Sequence, residues 1–313
     1  MEDNLRPISL DDYIGQNSLK ENLKVYIESA KKRCVPLSHT IIHGPAGLGK
    51  TSLASVIASE YGSRIVFSNA ANIEKAGDLL KYFIELEEGD FLFIDEIHRL
   101  DKKVEENLYT AMEDYRVDIK HKSGMTEKPV SITLEPFTLI GATTMKGKMS
   151  TPLIDRFGIN LHLSPYSDEE LIQIIIKNSN KLNFEITKDA AYEIAIRSRG
   201  TPRKSNHIIK RVLDFLTIDD IKSADKNFVM NVLMKLKIDE YGLEEIDRKI
   251  LSVMDGVLSK RPVGIQHLSS TTGESRETIE SDIEPYLLQK GLIERTPRGR
   301  IITDLGKKVL SDY

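Results

Sequence analysis

The stretch His39-Thr-Ile-Ile-His-Gly-Pro-Ala-Gly-Leu-Gly-Lys-Thr-Ser52 decides the fold of the first half of this chain. Two adjacent isoleucines predict a buried strand, a glycine-rich turn follows them, and an apolar run after the turn predicts a helix. From Gly44 to Thr51 the residues fit the phosphate-binding pattern G-x-x-x-x-G-K-[ST]. A chance match is disfavoured because the strand before the pattern and the helix after it supply the setting that the pattern requires.

Each residue type in this pattern has a physical role in holding an anion. Glycines let the backbone wrap so that several N–H groups converge on one point, where the dipole of the following helix is also positive. Lys50 adds a positive charge for the outer phosphates, and the Thr51 hydroxyl is a ligand for Mg²⁺. The stretch therefore predicts a site for a nucleoside triphosphate with its magnesium ion.

Length and composition narrow the class of protein. The chain has 313 residues, which suggests two or three domains, and its net charge of −4 leaves no global basic field for nucleic acid. The one cysteine, Cys34, cannot form an internal disulfide, and no Cys or His cluster has the spacing of zinc ligands. The polar N-terminus and the lack of a long apolar run predict a cytoplasmic protein that does not enter a membrane.

Residues 8–165 alternate between helical and strand patterns. Wholly apolar strand segments are typical of a parallel sheet that helices cover on both faces, because neither face is then open to water. The predicted strands are 40–43, 64–68, 91–94, 137–142 and 159–163, and the predicted helices are 17–32, 50–60, 77–86 and 104–115.

One insertion interrupts this alternation at about 117–135. Apolar and polar residues alternate on either side of a turn-rich segment, which is a hairpin pattern. The apolar residues are Val117, Ile119, Val130, Ile132 and Leu134. We expect the hairpin to project from its domain and to dock a partner protein, and a passive extension of the sheet is the alternative.

Beyond Ser167 the pattern becomes helical only. Ser167 and Glu170 form a capping box before an apolar run. Further helices are predicted at 188–197, 202–216 and 224–236. Residues 246–313 predict three short helices, a strand, a Pro-Arg-Gly-Arg turn and a second strand, which is the pattern of a winged helix-turn-helix.

A second chemical signal is the segment Phe91-Leu-Phe-Ile-Asp-Glu-Ile-His98, in which an apolar strand ends at two adjacent carboxylates. Asp95 can hold Mg²⁺ through water, and Glu96 can orient and polarise an attacking water molecule. Strands that end in solvated acids are common, but this one follows a phosphate-binding loop by about forty residues. The doublet therefore favours hydrolysis of the triphosphate over transfer to a small substrate.

Several further residues are candidates whose patterns also have simpler explanations. Thr143 and Thr144 end a predicted strand, where a hydroxyl could sense the γ-phosphate, although β-branched pairs are ordinary in strands. Arg203 lies in the first turn of a predicted helix, where the dipole disfavours a cation unless an anion is near, and a basic surface turn is the alternative. Arg156, taken alone, is expected to face solvent or to pair with Asp155.

Taken together, these elements resemble those of AAA+ ATPases, and several strings resemble the bacterial RuvB family among them over essentially the whole chain. The strings are Phe93-Ile-Asp-Glu-Ile-His-Arg-Leu100, Ala111-Met-Glu-Asp-Tyr115, Phe137-Thr-Leu-Ile-Gly-Ala-Thr-Thr144, Asp155-Arg-Phe-Gly158, Gly200-Thr-Pro-Arg203 and Arg295-Thr-Pro-Arg-Gly-Arg300. The resemblance implies an α/β fold with an AAA+ P-loop parallel-sheet domain at 1–166, a small helical lid domain at 167–238 and a C-terminal winged helix at 239–313.

The resemblance also implies roles for residues. The catalytic residues it implies are Lys50, Asp95, Glu96, Thr144 and Arg156. The nucleotide contacts it implies are Leu5, Arg6, Gly47, Lys50, Thr51, Ser52, Glu113, Asp114, Tyr115, Arg156, Tyr166 and Arg203. Thr51 and Asp95 would hold Mg²⁺ beside ATP. Arg156 matches the finger that enters the site of a neighbouring subunit, which implies a ring.

The wing and the hairpin are the predicted contacts with partners. From Tyr241 onward the chain has eleven Lys and Arg against twelve Asp and Glu, so any DNA contact there must be local. By resemblance Arg295 and Arg300 of the wing bind duplex DNA, and a solvated basic turn is the alternative. The resemblance further implies a homohexamer on Holliday junctions, with RuvA engaged by the hairpin and RuvC as a further candidate partner.

By resemblance the chain is an ATP-dependent motor that drives branch migration of Holliday junctions in recombination and repair. Two other functions stay open on the sequence: a clamp-loader-like or initiator ATPase, and a nucleotide-switched regulator that binds an operator through its winged helix. A small-molecule kinase is disfavoured by the doublet of Asp95 and Glu96.

Overall fold

The structure is a computed structural model that describes residues 5–123, 126–256 and 261–311. It divides into two compact units, the first ending at Pro165 and the second beginning at Tyr166. Within the described residues, no helix combines the length and the apolar character that a bilayer crossing requires.

A parallel sheet of five strands forms the centre of the first unit, as the apolar strand segments predicted. Its order is β2-β3-β6-β1-β7, and every neighbouring pair is parallel. The strands of this unit are β1 (Thr40–His43), β2 (Ile65–Asn69), β3 (Phe91–Asp95), β4 (Arg116–Ser123), β5 (Thr126–Thr133), β6 (Thr138–Thr143) and β7 (Ile159–His162). Because the strands are parallel, the carboxyl ends of β1, β3 and β6 meet at one edge.

Helices pack on this sheet through apolar faces. The helices are α1 (Asn17–Arg33), α2 (Lys50–Tyr61), α3 (Ala76–Phe83), α4 (Lys102–Asp114) and α5 (Thr151–Asp155). Phe83 of α3 and Leu108 of α4 are buried in one cluster with Phe137, whose ring lies 5.3 Å from that of Phe83. Burial of this kind stabilises the fold by about 25 cal/mol for each Å² of apolar surface removed from water. Predicted and observed bounds of these elements differ by a few residues.

The predicted hairpin is confirmed as the antiparallel pair β4 and β5. Its pairing runs from Arg116 opposite Thr133 to Ser123 opposite Thr126, and the turn predicted between the strands falls on residues 124–125, which lie outside the described residues. Val117 and Leu134 are buried in the cluster that contains Phe137. The base of the hairpin is therefore anchored in the core of the first unit.

The first part of the second unit is helical, with one addition that the helical pattern did not predict. Its helices are α6 (Asp168–Lys181), α7 (Lys188–Ala195), α8 (Pro202–Ile218) and α9 (Lys226–Lys235). The capping box is confirmed, since Ser167 and Glu170 each accept a hydrogen bond from the other's backbone N–H. The addition is a parallel pair, β8 (Glu185–Ile186) with β9 (Ser223–Ala224). Two-residue strands are too short to give the alternating pattern by which strands are predicted.

The rest of the second unit is a winged helix, and its predicted hairpin is confirmed. The elements are α10 (Glu245–Asp255), α11 (Ile265–Thr272), α12 (Arg276–Thr278), a π-helix (Ile279–Ile283), α13 (Glu284–Gln289), β10 (Ile293–Thr296), β11 (Gly299–Ile302) and α14 (Asp304–Ser311). The π-helix interrupts the last long helix just before Pro285, which has no N–H for the helical ladder. Gly299 has φ +146°, and a Cβ there would lie 2.5 Å from the Val263 carbonyl oxygen, so the turn of the wing requires glycine.

Ion pairs join the helical part of this unit to the winged helix. Arg199 donates two hydrogen bonds to the Gly242 carbonyl, at 3.0 and 2.9 Å, and pairs with the fully buried Asp247 of α10. Lys204, near the start of α8, lies 2.6 Å from the Glu244 carboxylate at the start of α10. Removing one partner of the buried Arg199–Asp247 pair would cost about 3–5 kcal/mol, because the other charge would be left buried without a partner.

Candidate nucleotide site

The glycine-rich loop between β1 and α2 has a backbone that only glycine adopts easily. Gly44 has φ +149°, and a Cβ there would lie 2.5 Å from the Leu163 carbonyl oxygen. Gly47 and Gly49 have φ +80° and +93°, in the left-handed region. Gly49 is the N-cap residue of α2 and has no side chain that could bond to the first N–H groups of the helix. Such a terminus is a site for an anion.

Lys50 is the first residue of α2 and is almost fully buried. Its Nζ donates to the carbonyl oxygens of Gly44 at 2.9 Å and Pro45 at 3.0 Å. These hydrogen bonds keep the ammonium group within the loop. The Lys50 ammonium is therefore a positive charge held inside the glycine-rich loop, as the sequence pattern predicted.

The two carboxylates lie where β3 ends, and β6 ends beside them. The Glu96 carboxylate accepts hydrogen bonds from the Thr144 hydroxyl at 2.9 Å and from the Thr144 N–H at 3.3 Å. It also lies 3.1 Å from Nδ1 of His98. Two of the predicted site residues, Glu96 and Thr144, are thus in direct contact because β3 and β6 are neighbours in the sheet.

The Glu96 carboxyl is an anion across the physiological pH range. Burial opposes its ionisation, but hydrogen bonds from His98 and Thr144 outweigh burial and hold the pKa of Glu96 at about 2. Glu96 has φ +48°, which is uncommon for a residue with a side chain and turns the carboxylate out of the line of the strand. A carboxylate held in this way can accept a hydrogen bond from water beside a bound triphosphate.

Arg156 closes α5 and lies against α4 in the same unit. Its Nη2 lies 3.1 Å from the Glu113 carboxylate, and its Nη1 donates to the Pro152 carbonyl at 2.7 Å. The expected pairing with Asp155 is therefore wrong: the guanidinium pairs with Glu113 instead. The helical turn of α5 carries the side chain back toward α4, where Glu113 lies. Glu113 was predicted to lie near nucleotide, so two more predicted site residues are in contact.

Comparisons with known proteins decide the family. The model of the Holliday junction DNA helicase RuvB P-loop domain matches residues 5–163, the RuvB AAA lid domain matches 166–239, and the RuvB C-terminal winged helix domain matches 240–311. The chain belongs to the RuvB family. The predicted fold class is confirmed with it, and the chain is a P-loop ATPase that binds nucleotide.

Individual relatives agree with the RuvB family models. A protein of Leuconostoc mesenteroides named Holliday junction branch migration complex subunit RuvB is 50% identical over 302 residues, which are 96% of this chain and 86% of that protein. The protein of the same name from Enterococcus faecalis is 48% identical over 303 residues, or 97% and 90% of the two chains. The solved structure of the Thermotoga maritima RuvB Holliday junction branch migration motor superposes with a TM-score of 0.89, at 44% identity over 98% of both chains.

The other residues that the RuvB resemblance singled out are spread over both units. In the first unit, Leu5 is buried at the start of the described chain, and Tyr115 ends α4 with φ +48°. In the second unit, the backbone N–H of the buried Tyr166 donates to Gly200 at 2.9 Å. Arg203 is exposed in the first turn of α8, as predicted. The remaining members in the first unit are Arg6, Thr51, Ser52 and Asp114, of which Asp114 is exposed and the other three are half-buried.

The two wing arginines that RuvB resemblance assigned to DNA differ in exposure. The Arg295 side chain is 62% exposed, whereas that of Arg300 is 8% exposed. Arg300 donates to Glu284 at 3.0 and 2.7 Å and to Glu280 at 3.0 Å. The two arginines predicted to bind DNA therefore differ in how much of the side chain reaches solvent, and DNA binding by each stays a prediction. Arg295 and Arg300 are directly opposite each other in the hairpin, so both side chains lie on one face of it. Arg300 fastens β11 to Glu284 of the helix before the wing, and the more exposed Arg295 lies 3.5 Å from the same carboxylate.

Two contacts at the site were not predicted from the sequence. The first is between His98 and Glu96: His98 lies two residues after Glu96 in the sequence, and this spacing alone did not indicate a contact. Tyr109 of α4 lies under the guanidinium of Arg156, with 4.3 Å between the guanidinium carbon and the ring centre. Only the four-residue spacing of Tyr109 and Glu113 on one helix could have indicated a shared face.

Proposed function

We propose that this chain is an ATP-driven motor of Holliday-junction branch migration in recombination and repair, working in the cytoplasm as a homohexameric ring on duplex DNA. RuvA is the proposed partner of the hairpin at 117–135, and RuvC is a further candidate. The observation that carries the proposal is the anionic Glu96 bonded to Thr144, at the sheet edge where the phosphate-binding loop lies. The match of all three RuvB models supports a motor over a clamp loader or an operator-binding regulator.

The phosphate-binding loop and α2 supply the proposed contacts to the phosphates of ATP. Lys50 exchanges its hydrogen bonds with the loop carbonyls for the outer phosphates, and Gly47, Thr51 and Ser52 complete the cradle. Further proposed contacts to the nucleotide are Leu5, Arg6, Glu113, Asp114, Tyr115, Tyr166 and Arg203. The proposed cradle needs no change in fold, because Gly47 and Gly49 already have the left-handed backbone that an anion-binding loop uses.

Mg²⁺ is the proposed metal, and the donor set fits it. The Thr51 hydroxyl and the Asp95 carboxylate are hard oxygen donors of the kind that Mg²⁺ prefers. The described residues contain no group of three or more His, Cys, Asp or Glu side chains placed to hold a metal, so water and phosphate oxygens would complete the coordination. When bound, the ion neutralises charge on the phosphate oxygens.

Hydrolysis is proposed to use residues of two copies of the chain. Glu96 accepts a hydrogen bond from the attacking water and orients it toward the γ-phosphate, while Thr144 fixes the Glu96 carboxylate. Arg156 of one copy extends to the nucleotide of the next and stabilises the charge that develops on the phosphate oxygens. A site completed by the neighbour couples hydrolysis to movement between subunits.

A four-way junction assembled from synthetic oligonucleotides tests the function directly. We expect its arms to separate when the protein, RuvA, ATP and Mg²⁺ are all present, and the junction to stay intact when ATP is omitted or EDTA removes the metal. Product strands are measured by gel electrophoresis. If the arms stay joined under the complete conditions while the protein binds nucleotide, the proposed function is wrong.

The wing prediction is tested by the salt dependence of duplex binding. Each lysine or arginine that neutralises a phosphate contributes about 0.9 to the slope of log K against log salt concentration. We expect Arg295→Ala to lower this slope by about one contact, to weaken binding equally on unrelated sequences and to leave the melting temperature near that of the wild type. Fluorescence anisotropy across a salt series measures the slope.

Arg300 is the comparison in the same experiment. Replacing both members of a buried ion pair by apolar groups is often neutral for stability, so the double variant Arg300→Met, Glu284→Leu is expected to fold. Glu284 also lies 3.5 Å from Arg295, so the reference is the Glu284→Leu single variant, in which Arg295 has lost the same neighbour. If Arg300 holds the wing, the double variant keeps the slope of that single variant. A slope lowered by about one contact would instead show that Arg300 binds a phosphate.

A further inference from the structure

The guanidinium of Arg156 lies flat against α4. Its central carbon is 4.3 Å from the centre of the Tyr109 ring, and its Nε is buried without a hydrogen-bond partner among the residues that the structure describes. The side chain as a whole is 22% exposed. The face of the ring therefore takes the place of water on one side of the cation.

Tyr109 is itself fixed by hydrogen bonds. Its hydroxyl lies 3.0 Å from the Ser150 hydroxyl and 3.1 Å from the Glu105 carboxylate. The Ser150 hydroxyl donates to the same carboxylate at 2.7 Å. Ser150 is also the N-cap of α5, the helix that Arg156 closes. One set of contacts thus connects the start of α5 to the ring that supports its last side chain.

The three residues of α4 that make these contacts are spaced four apart. Glu105, Tyr109 and Glu113 follow one face of the helix, because an α-helix turns once in about 3.6 residues. Glu105 contacts Ser150 at the start of α5, and Tyr109 and Glu113 contact Arg156 at its end. This face of α4 therefore sets the direction in which Arg156 points.

We infer that Tyr109 is a positioning residue for Arg156, fixing the plane of the guanidinium before it meets the phosphates of a nucleotide on a neighbouring copy of this chain. The inference rests on the proposed role of Arg156. A stacked guanidinium keeps its N–H edge available while its face is covered. Nη2 can therefore exchange the exposed Glu113 carboxylate for a phosphate oxygen without leaving the ring. An arginine that is already ordered loses less conformational entropy when the site closes.

Two substitutions at position 109 separate the ring from the hydroxyl. Tyr109→Leu removes the π-face and keeps apolar bulk, and we expect it to lower kcat for ATP hydrolysis on junction DNA by about tenfold or more while nucleotide Kd stays near the wild-type value. Tyr109→Phe keeps the face and is expected to restore turnover to within about twofold to threefold of wild type. Phosphate release measures kcat, and a fluorescent ATP analogue measures Kd.

Mixed assemblies show whether Tyr109 affects the nucleotide site of its own subunit or that of the neighbouring subunit. A Tyr109→Leu subunit keeps its own phosphate-binding loop, and a Lys50→Ala subunit keeps its own Arg156 face. In equal mixtures about a quarter of the sites would pair an intact loop with an intact neighbouring arginine, so turnover should rise above that of either variant alone. A mixture of Arg156→Ala with Lys50→Ala is measured in parallel as the reference.

The outcomes are distinct. Recovery in both mixtures supports the inference. If only the Arg156→Ala mixture recovers, Tyr109 acts in its own subunit and the inference is overturned, whereas recovery in neither removes the proposed sharing of sites between copies. If the Tyr109→Leu protein fails to fold by circular dichroism, Tyr109→Met provides the same mixing test. Equal turnover in the Leu and Phe variants would also overturn the inference.

Discussion

Glu96→Gln is expected to abolish steady-state ATP turnover while ATP stays bound. The amide keeps the size of the carboxylate and can still accept a hydrogen bond from Thr144, so the geometry of the site survives. It loses the negative charge that polarises water, and the loss of such a group lowers the rate by about 10²–10⁴-fold. Phosphate release with and without junction DNA measures turnover, and equilibrium dialysis measures bound ATP.

A matched control separates the loss of this carboxylate from the change of one unit in the net charge of the protein. Glu88 is an exposed glutamate in the loop before β3, and Glu88→Gln removes the same charge away from the sheet edge. We expect this variant to turn over ATP at the wild-type rate. Lys50→Ala should abolish turnover as well, but through weakened nucleotide binding. Turnover of Glu96→Gln within tenfold of wild type would contradict the proposed role of this carboxylate.

Arg156→Ala is expected to lower turnover by about a thousandfold or more, since arginine fingers contribute about 10³–10⁵ to the rate. Nucleotide binding should change little, because Arg156 is proposed to act on the nucleotide that a neighbouring copy holds. The decisive measurement is the mixture with Lys50→Ala, in which each variant supplies the part that the other lacks. Recovery of turnover on mixing is the expected result.

The control for Arg156→Ala is another arginine in an ion pair. Arg211 of α8 is paired with Asp214 at 3.0 Å, and both side chains are about half exposed. We expect Arg211→Ala to leave turnover and its dependence on mixing unchanged. An Arg156→Ala protein that hydrolyses ATP as fast as wild type would remove the mechanism in which two copies share a site.

Much of the fold follows from local pattern. The strand at 40–43 was predicted with the bounds that the structure shows, because two fully buried isoleucines and a glycine turn fix both its ends. The π-helix at 279–283 and the pair β8 with β9 were not predicted, because each depends on contacts made in three dimensions. The closing helix α14 was missed too, since its eight residues make little more than two turns and follow directly on the second strand of the wing.

The candidate site shows the same division. Short sequence patterns, each at the point where a strand passes into a loop, were enough to single out Lys50, Asp95 and Glu96 as candidate site residues. The partners of Arg156 and Arg300 could not be predicted, because Glu113 and Glu284 lie 43 and 16 positions away in the chain. A charged residue in a sequence shows what it can bind, and the neighbour that it does bind is set by how the elements pack.

The ion pairs between Arg199 and Asp247, and between Lys204 and Glu244, have a mechanical consequence. Lys204 lies beside Arg203 in the first turn of α8, Arg199 lies just before that helix, and their acidic partners lie at the start of α10. Two ion pairs and the hydrogen bonds from Arg199 to Gly242 lie at this one junction, which favours movement of the joined parts together as one lever arm. If Arg203 contacts nucleotide and Arg295 contacts DNA, as proposed, a small tilt at the first residue would move the second through a longer arc.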